Sequence, residues 1–564
     1  VIDTERLKKR KTALYNERTS WDARAKLCAQ YVLPRAGRFD LSDRNKGENR
    51  FGSVYDNTAI KSNRVLAAGM MAGMTSPARP WFRLATPDPA LMEFDPVRLW
   101  LDKTAKVMRM VFARTGLYRT LHSMYEELGA FGTASAYVCR DFDSLIHSHA
   151  LTWGEYAIAQ DAKGNVNTIA REYEATVEQI AREFGLENCS ENVKSAYLRG
   201  NYDQWIPITH VVMPRDLRDV KNPNAKNKRW LSVYFESGAN DKGKVLRESG
   251  YDQFPFLCPR WVTSGGDVYG TGPAHEAMGP IKKLQHMDLR KAQAIDYKTN
   301  PPLQMPAGYR TMEVNTLPGG ISYVDMSTSG KIQSAFDVQL DIRELGQDIV
   351  DARSQVESIF FSDLFLMMAN DNRSGVTARE INERHEEKML MLGPVLERLH
   401  NELIEPLIDI VFDAVTQAVT SSGPLLPPAP KELKEMDLKV DFISTLAQAQ
   451  KQLGLGSIER FGTFTGQMAQ LSPDALDKLD VDQAIDVYAD MLGVDPAIVR
   501  SDEAVAEIRA GRQQKQAQQE QMAQMAQMAQ PMDQMASAMQ KAGATTAEEG
   551  TALNTLMQGL QGYS

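Results

Sequence analysis

Cysteine is scarce in this chain. There are four among 564 residues: Cys28, Cys139, Cys189 and Cys258. They are widely scattered and form no C-x-x-C pair, which argues against a disulfide framework or a zinc site and fits a reducing compartment. Long apolar runs are also missing. The most membrane-like stretch, Val65 to Met74, falls far short of the ~20 apolar residues a spanning helix needs. Its Gly69 and Gly73, four residues apart, predict close packing of one helix on another. No secretory signal is expected, because Glu5, Arg6, Lys8, Lys9, Arg10 and Lys11 occupy the place of its apolar core. An excess of positive charge is lacking too. The formal net charge is −9, which disfavours a free-standing duplex binder that works by counterion release. An acidic wall that repels phosphate is compatible with DNA sliding past it.

Catalytic signatures are absent in the same way. There is no G-x-x-x-x-G-K-[ST] loop to cradle phosphates and no G-x-S-x-G elbow. Gly270-Thr271-Gly272 starts like a dinucleotide fingerprint, but His275 stands where the third glycine belongs. His275-Glu276 and His385-Glu386 lack a second histidine one helical turn on, so neither forms a zinc helix. Asn188-Cys189-Ser190 matches a glycosylation triplet of the sort chance supplies. No cofactor or metal site is expected. A metal-dependent nuclease would need two or three carboxylates gathered by the fold, and no set stands out from a solvated surface.

What is present is a patterned chain. The apolar fraction of 43% and charged fraction of 24% are ordinary for packed domains. Residues 4–33 form an amphipathic helical pattern carrying Leu7, Leu14, Trp21, Leu27 and Tyr31, ended by Pro34 and Gly37. Helical patterns follow at 57–75, 96–115 and 117–130. The period then shortens to that of strands at 136–139, 145–151, 156–160, 166–173, 206–213 and 229–236. Between them Thr176-Val177-Glu178-Gln179 is a capping box that predicts a short helix to Phe184.

A long helix is predicted from Pro273 to Lys298, stopped by Pro301-Pro302. A turn-rich, strand-like insert occupies 301–336, and helical periodicity returns at 338–361. The order helix, small extended module, helix describes an antiparallel stalk with a head. Residues 362–376 are expected to be a loop. Thr377-Ala378-Arg379-Glu380 is a capping box opening a helix to about Val419, with a bend at Pro406. The apolar stripe of that helix is assigned to core or subunit contact. Pro424 to Pro430 is a linker, 438–443 a strand and 444–510 helical. The Gln/Met/Ala-rich tail, 512–564, admits both a disordered and a helical reading.

Several blocks, in this order, resemble the portal (head-to-tail connector) family of short-tailed bacteriophages. They are Tyr31-Val32-Leu33-Pro34-Arg35-Ala36-Gly37-Arg38-Phe39, Val54-Tyr55-Asp56-Asn57-Thr58-Ala59, Leu66-Ala67-Ala68-Gly69-Met70 and Met74-Thr75-Ser76-Pro77-Ala78-Arg79-Pro80-Trp81-Phe82. Gly270-Thr271-Gly272-Pro273 and Thr377-Ala378-Arg379-Glu380 continue the series. The resemblance covers the chain to about residue 510, and the repetitive tail departs from it.

The resemblance implies an α+β, mainly helical, portal-type fold assembled as a ring of twelve. It implies an α/β wing at 1–270 and stem helices at 271–299 and 338–361. A small β-containing clip would lie at 300–337 and a tunnel loop at 362–376. A long wing helix with its linker would occupy 377–437, a helical crown 438–511, and a tail or barrel 512–564. The implied function is a non-enzymatic channel at one capsid vertex for packaging and ejecting double-stranded DNA, which also nucleates assembly. The implied partners are terminase, then a tail adaptor, and the major capsid and scaffolding proteins, in the virion and in the host cytoplasm during assembly. No membrane insertion is expected.

In the tunnel loop, Asn370, Asp371, Asn372 and Arg373 are candidates for contact with passing phosphates; a solvated loop is the plainer reading. On the first stem helix, Lys282, Lys283, Arg290, Lys291 and Lys298 are candidates for DNA contact, against a solvated face or intersubunit ion pairs. In the clip, Tyr309, Met312, Val314, Leu317, Ile321 and Tyr323 exceed what so small an insert can bury alone, which makes them candidates for subunit or partner contact. Thr377 and Glu380 cap the long helix. The competing functions are another phage structural protein, such as a tail tube or scaffold, and the metal-dependent nuclease.

Overall fold

The computed structural model describes residues 4–40, 50–88, 91, 94–216, 218, 224–237, 245–300, 302–304, 333–334, 342–369, 391–420, 423–433, 439–442, 461–468, 480–492, 500 and 505–519. Val1–Leu471 and Ser472–Ser564 are two compact units.

The first unit opens with α1, Thr4–Tyr31. Then come α2, Thr58–Met74, and β1, Phe82–Ala85, followed by α3, Asp95–Arg114, and α4, Leu117–Phe131. Left-handed glycines end the turns around α4: Gly116 has φ 70° and Gly132 φ 69°, a conformation that costs glycine nothing. Gly129 of α4 lies against the side chains of Asn63 and Leu66 of α2, which therefore rest directly on the α4 backbone.

The predicted strands appear as β2, Ser135–Asp141, β3, Leu145–Leu151, β4, Tyr156–Gln160, and β5, Val166–Thr176. The capping box forms as read. Thr176 accepts the Gln179 N–H, Gln179 accepts the Thr176 N–H, and α5 runs Val177–Phe184. A helix not anticipated, α6, Glu191–Leu198, is capped by Ser190, so the triplet at 188–190 serves a helix start. Then follow β6, Trp205–Pro214, and β7, Trp230–Glu236. Two more unanticipated strands come next, β8, Arg247–Tyr251, and β9, Phe256–Leu257.

Strands β4-β5-β6-β7-β8 form an antiparallel five-stranded sheet, and β3-β2-β9 a three-stranded one. Alternation along the strands sorts two faces. Ala170, Val211, Val233 and Phe235 meet Leu7 and Leu14 of α1. Tyr234, Ile206 and Ile208 turn the other way, to Val177, Ile180 and Val193 of the α5–α6 lobe. Polar contacts dock α1 as well: Arg18 Nη1 donates to the carbonyls of Gly154 and Tyr156, and Trp153 Nε1 donates to Asp22 at 2.8 Å. The main core packs α2, α3 and α4 around Trp81, Phe82, Phe112 and Phe131.

After β9 come α7, Pro273–Glu276, and α8, Met278–Thr299. A two-stranded pairing of β10, Leu303–Gln304, with β11, Gln333–Ser334, closes the far end of the stalk. The return helix is α9, Ile342–Ile359. The pairing and a shared seam of Leu284, Ile349 and Ala352 set α8 and α9 antiparallel, as the sequence pattern predicts. Residues 305–332, and with them Tyr309, Met312, Val314, Leu317, Ile321 and Tyr323, lie outside the described residues.

The expectation of a loop from Ser362 is corrected over its first eight residues: Ser362–Ala369 is a helix, α10. Phe361 at φ 55° breaks α9 from α10, and Leu364 and Phe365 then bury in the main core. The polar run Asn370-Asp371-Asn372-Arg373 that follows favours a loop by its composition. The helix-forming Leu-Phe-Leu-Met-Met segment and the burial of Leu364 and Phe365 decide the outcome instead. Asn370, Asp371, Asn372, Arg373, Thr377 and Glu380 lie outside the described residues.

The long helix is seen over 391–399 and continues through a π turn, His400–Ile404, into α11, Glu405–Thr416. Pro406 explains the wide turn: it has no N–H to donate and its ring crowds the carbonyl four residues back. Strands β12, Val419–Thr420, and β13, Gly423–Pro424, form a small hairpin. The strand predicted near 438–443 appears as β14, Lys439–Phe442, and pairs with β1. In the second unit α12, Val481–Leu492, and a helix over 505–519 are joined by Arg509, which donates to both oxygens of Asp482 at 2.6 and 2.8 Å. The chain beyond 519 is outside the described residues.

Candidate functional site

The α8–α9 hairpin is fastened at its root by the segment Val54 to Thr58. Asp56 is buried. Its Oδ1 accepts the Thr58 N–H at 2.8 Å, starting α2, and its Oδ2 accepts Arg353 Nε at 2.9 Å and Nη2 at 2.8 Å. Gln285 of α8 completes the joint. Its Oε1 accepts the N–H groups of Tyr55 at 2.6 Å and Asp56 at 2.9 Å, and its Nε2 donates to the Asp56 carbonyl at 2.7 Å. One turn of chain therefore holds both stalk helices and the start of α2. Arg353 is partly solvated and Asp56 is not, so the arginine keeps the carboxylate from being an unpaired buried charge.

Close packing carries this joint inward. A Cβ on Gly69 of α2 would sit 2.2 Å from the Phe365 ring of α10. Gly69 of the small-residue pair in α2 thus packs one helix on another, as the spacing predicts. Among the described residues no helix is long and apolar enough to cross a membrane.

A second joint holds the long helix. Arg260 is buried, and its backbone N–H donates to Glu402 Oε2 at 2.9 Å. Its guanidinium reaches Glu402 Oε1 at 2.7 Å, Gln160 at 2.8 Å and the Gly164 carbonyl at 2.7 Å. Glu402 lies in the π turn, so the irregular turn is pinned to the hairpin between β4 and β5. Beside it, Gly132 meets the backbone of Gly270-Thr271-Gly272, with a would-be Cβ 2.5 Å from the Gly270 carbonyl and the Gly272 nitrogen. The Gly-Thr-Gly segment is there for backbone contact, with Thr133 Oγ1 accepting the Gly270 N–H at 2.8 Å. His275 Nδ1 accepts the Gly272 N–H at 3.1 Å, and burial pushes its pKa down to about 4, so it stays neutral.

The stalk cations do not form one stripe. Lys282, Lys283, Arg290 and Lys298 are exposed, and Lys291 is half-buried. At ~100° per residue they spread over about half the helix circumference. Arg290 donates to Gln293 at 2.9 Å. Among the described residues none of the five forms an ion pair. Within α8 these five cations stand against Asp288 and Asp296, a net +3. In α9, Glu344, Asp348, Asp351 and Glu357 stand against Arg343 and Arg353, a net −2. Ile295, Tyr297 and Val350 are exposed on the same hairpin. Sequence reasoning did not single out Asp56, Gln285, Arg353, Arg260 or Glu402. Asp56 alone carried a signal, inside the quoted Val54-to-Ala59 block; the rest come together across hundreds of residues. No group of three or more metal-ligating side chains occurs among the described residues.

Comparison with known proteins gives the following. The family model described as bacteriophage head to tail connecting protein matches residues 4–499. A probable portal protein of Bordetella phage BPP-1 is 49% identical over 552 residues, spanning 98% of this chain and 97% of that protein. The portal protein of Salmonella phage epsilon15 is 42% identical over 515 residues, 91% and 92% of the two chains. That of Escherichia phage T7 is 24% identical over 508 residues, 84% and 85%.

Proposed function

Because this chain belongs to the bacteriophage head to tail connecting protein family, a structural family of the virion, we propose that its copies close into a twelve-membered ring around a channel for double-stranded DNA. The observation that carries this reading is the α8–α9 hairpin. It is a projecting pair of helices of opposite net charge with apolar side chains left exposed. Side by side, the basic α8 of one copy meets the acidic α9 of the next and buries Ile295, Tyr297 and Val350. A contact between different faces repeats by rotation and closes a ring.

In this reading residues 1–270 are wing, 271–299 and 338–361 stem, 300–337 clip, 377–437 the long wing helix and its linker, and 438–511 crown, with 512–564 a tail or barrel. The tunnel loop of 362–376 shortens to the part beyond α10, with Asn370, Asp371, Asn372 and Arg373 narrowing the bore. Lys282, Lys283, Arg290, Lys291 and Lys298 divide between intersubunit pairs and the bore, consistent with their spread. The clip residues Tyr309, Met312, Leu317, Ile321 and Tyr323 dock terminase and later a tail adaptor, and the wing meets capsid and scaffolding proteins. Thr377 and Glu380 start the long helix.

Electron microscopy of the purified chain tests the ring. A wide ring with a central hole and a stalk is expected. A chain that stays monomeric under every assembly condition, or that forms a rod, refutes it.

A further inference from the structure

Between the face of β2–β3 and the face of β5–β7–β8 the first unit holds an open cavity of about 1260 Å3. Its wall is polar, and several of its carboxylates already have partners. Glu155 pairs with Arg38, Glu172 with Lys11 at 2.6 Å, and Glu183 with Arg247 at 3.3 Å. Glu127 accepts the Thr152 hydroxyl at 2.5 Å and the Trp153 N–H at 3.1 Å.

Arg171 is the exception. Its guanidinium carbon lies 5.1 Å from the Tyr137 ring centre and 4.7 Å from that of Tyr173, so two aromatic rings flank it. Rings stabilise a cation but accept no planar hydrogen bond from its edge. Its buried Nε has no hydrogen-bond partner, and such atoms are rare in folded proteins. Arg247 stands on the same cavity wall, 4.7 Å from the Tyr234 ring centre. His149, also on the wall, has its pKa lowered first by burial and then by Arg171, His147 and Arg38.

We propose that Arg171, with Arg247 and His149 beside it, forms an oxyanion-binding subsite in this cavity, for a phosphate or carboxylate group of a small ligand. A guanidinium presents paired N–H donors in a plane that matches either group. The tyrosines hold that plane, Tyr173 also through a side-chain hydrogen bond, and the Nε donor is left to the ligand. Glu155, Glu172 and Glu183 already have cationic partners, so an entering anion meets in Arg171 a cation with an unused donor. The subsite does not depend on ring closure.

The test is isothermal titration of the full-length chain with inorganic phosphate, with succinate as the carboxylate arm and chloride as the ionic-strength control. Saturable binding of at least one oxyanion, absent with chloride, is expected. Whichever binds identifies the group. Arg171→Gln should weaken it by at least about tenfold, the loss of one charge-assisted contact. Glu183→Gln removes the carboxylate that competes for Arg247 and should strengthen binding about threefold. It answers the question even if Arg171→Gln fails to fold. No saturable binding to the parent chain, undiminished affinity in a folded Arg171→Gln variant, or unchanged affinity in Glu183→Gln overturns the proposal.

Discussion

Replacing Asp56 by Asn isolates one interaction at the root of the stalk. The amide keeps an oxygen for the Thr58 N–H, and the three Gln285 bonds use backbone atoms or its own amide, so they survive. What goes is the charge that holds Arg353 through two donors at 2.9 and 2.8 Å. A hydrogen bond to a charged group contributes about 1.5–3 kcal/mol. Arg353's side chain is 43% exposed, so solvent screening reduces this to about 1–2 kcal/mol. A chain of several domains has no single unfolding free energy, so the readout is local. Hydrogen exchange at residues 55–58 and in the root half of α9 should speed up about 5–30-fold. The five-stranded sheet should not change. Arg353→Gln should act on the same amides, and the double variant should cost less than the two single costs added. If either single variant exchanges like the parent at these amides, or if the costs add, Asp56 and Arg353 do not fasten the stalk.

Four further outcomes follow from other sites. Gly69→Ala should destabilise by about 1–3 kcal/mol despite the better helix propensity of alanine, because the methyl meets the Phe365 ring; a rise in thermal midpoint refutes the close contact. Glu402→Gln leaves Arg260 charged and buried, and should cost about 3–5 kcal/mol. Limited proteolysis across 391–416 would show it, with less loss when Arg260→Met is added. Burial pushes the Glu127 pKa up to about 8. Its folded pKa is therefore above the unfolded one, so its contribution is complete below about pH 4.5 and is lost progressively as pH rises towards about 8. Relative to Glu127→Gln, the parent should lose stability in denaturant melts from pH 5 to 8; parallel curves would refute this. Finally, reversing Lys282, Lys283 and Arg290 to Glu should block ring assembly under the proposed function, as read by mass photometry; intact rings would remove the charge-matched contact.

Local signals were legible in the sequence because they act over a few residues. The Thr176 capping box, the stop after Thr299 before the two prolines, and the spacing of Gly69 and Gly73 each needed only neighbouring side chains and backbone sterics. Hence α1 to α5, β2 to β7 and the antiparallel stalk were readable, and the ordered blocks pointed to the family. Strand β8 escaped because Arg247-Glu248-Ser249-Gly250-Tyr251 has no apolar alternation; it is a strand because β7 supplies its hydrogen bonds. The pairing of β1 with β14 escaped for a related reason, since register between distant segments has no local trace.

The sequence by itself determined most helices and strands of the first unit, the helix–insert–helix order of the stalk and the resemblance to the connector family, but not that Ser362–Ala369 is helical or that Arg247–Tyr251 is a strand. Only the tertiary structure decided where those segments are tied together. Asp56 meets Arg353 and Gln285, Arg260 meets Glu402, and Arg171 is left between two tyrosines with an unused donor. Periodicity tells which side of an element seeks burial. It does not tell which buried charge will find a partner, because that depends on distances between residues far apart in the chain.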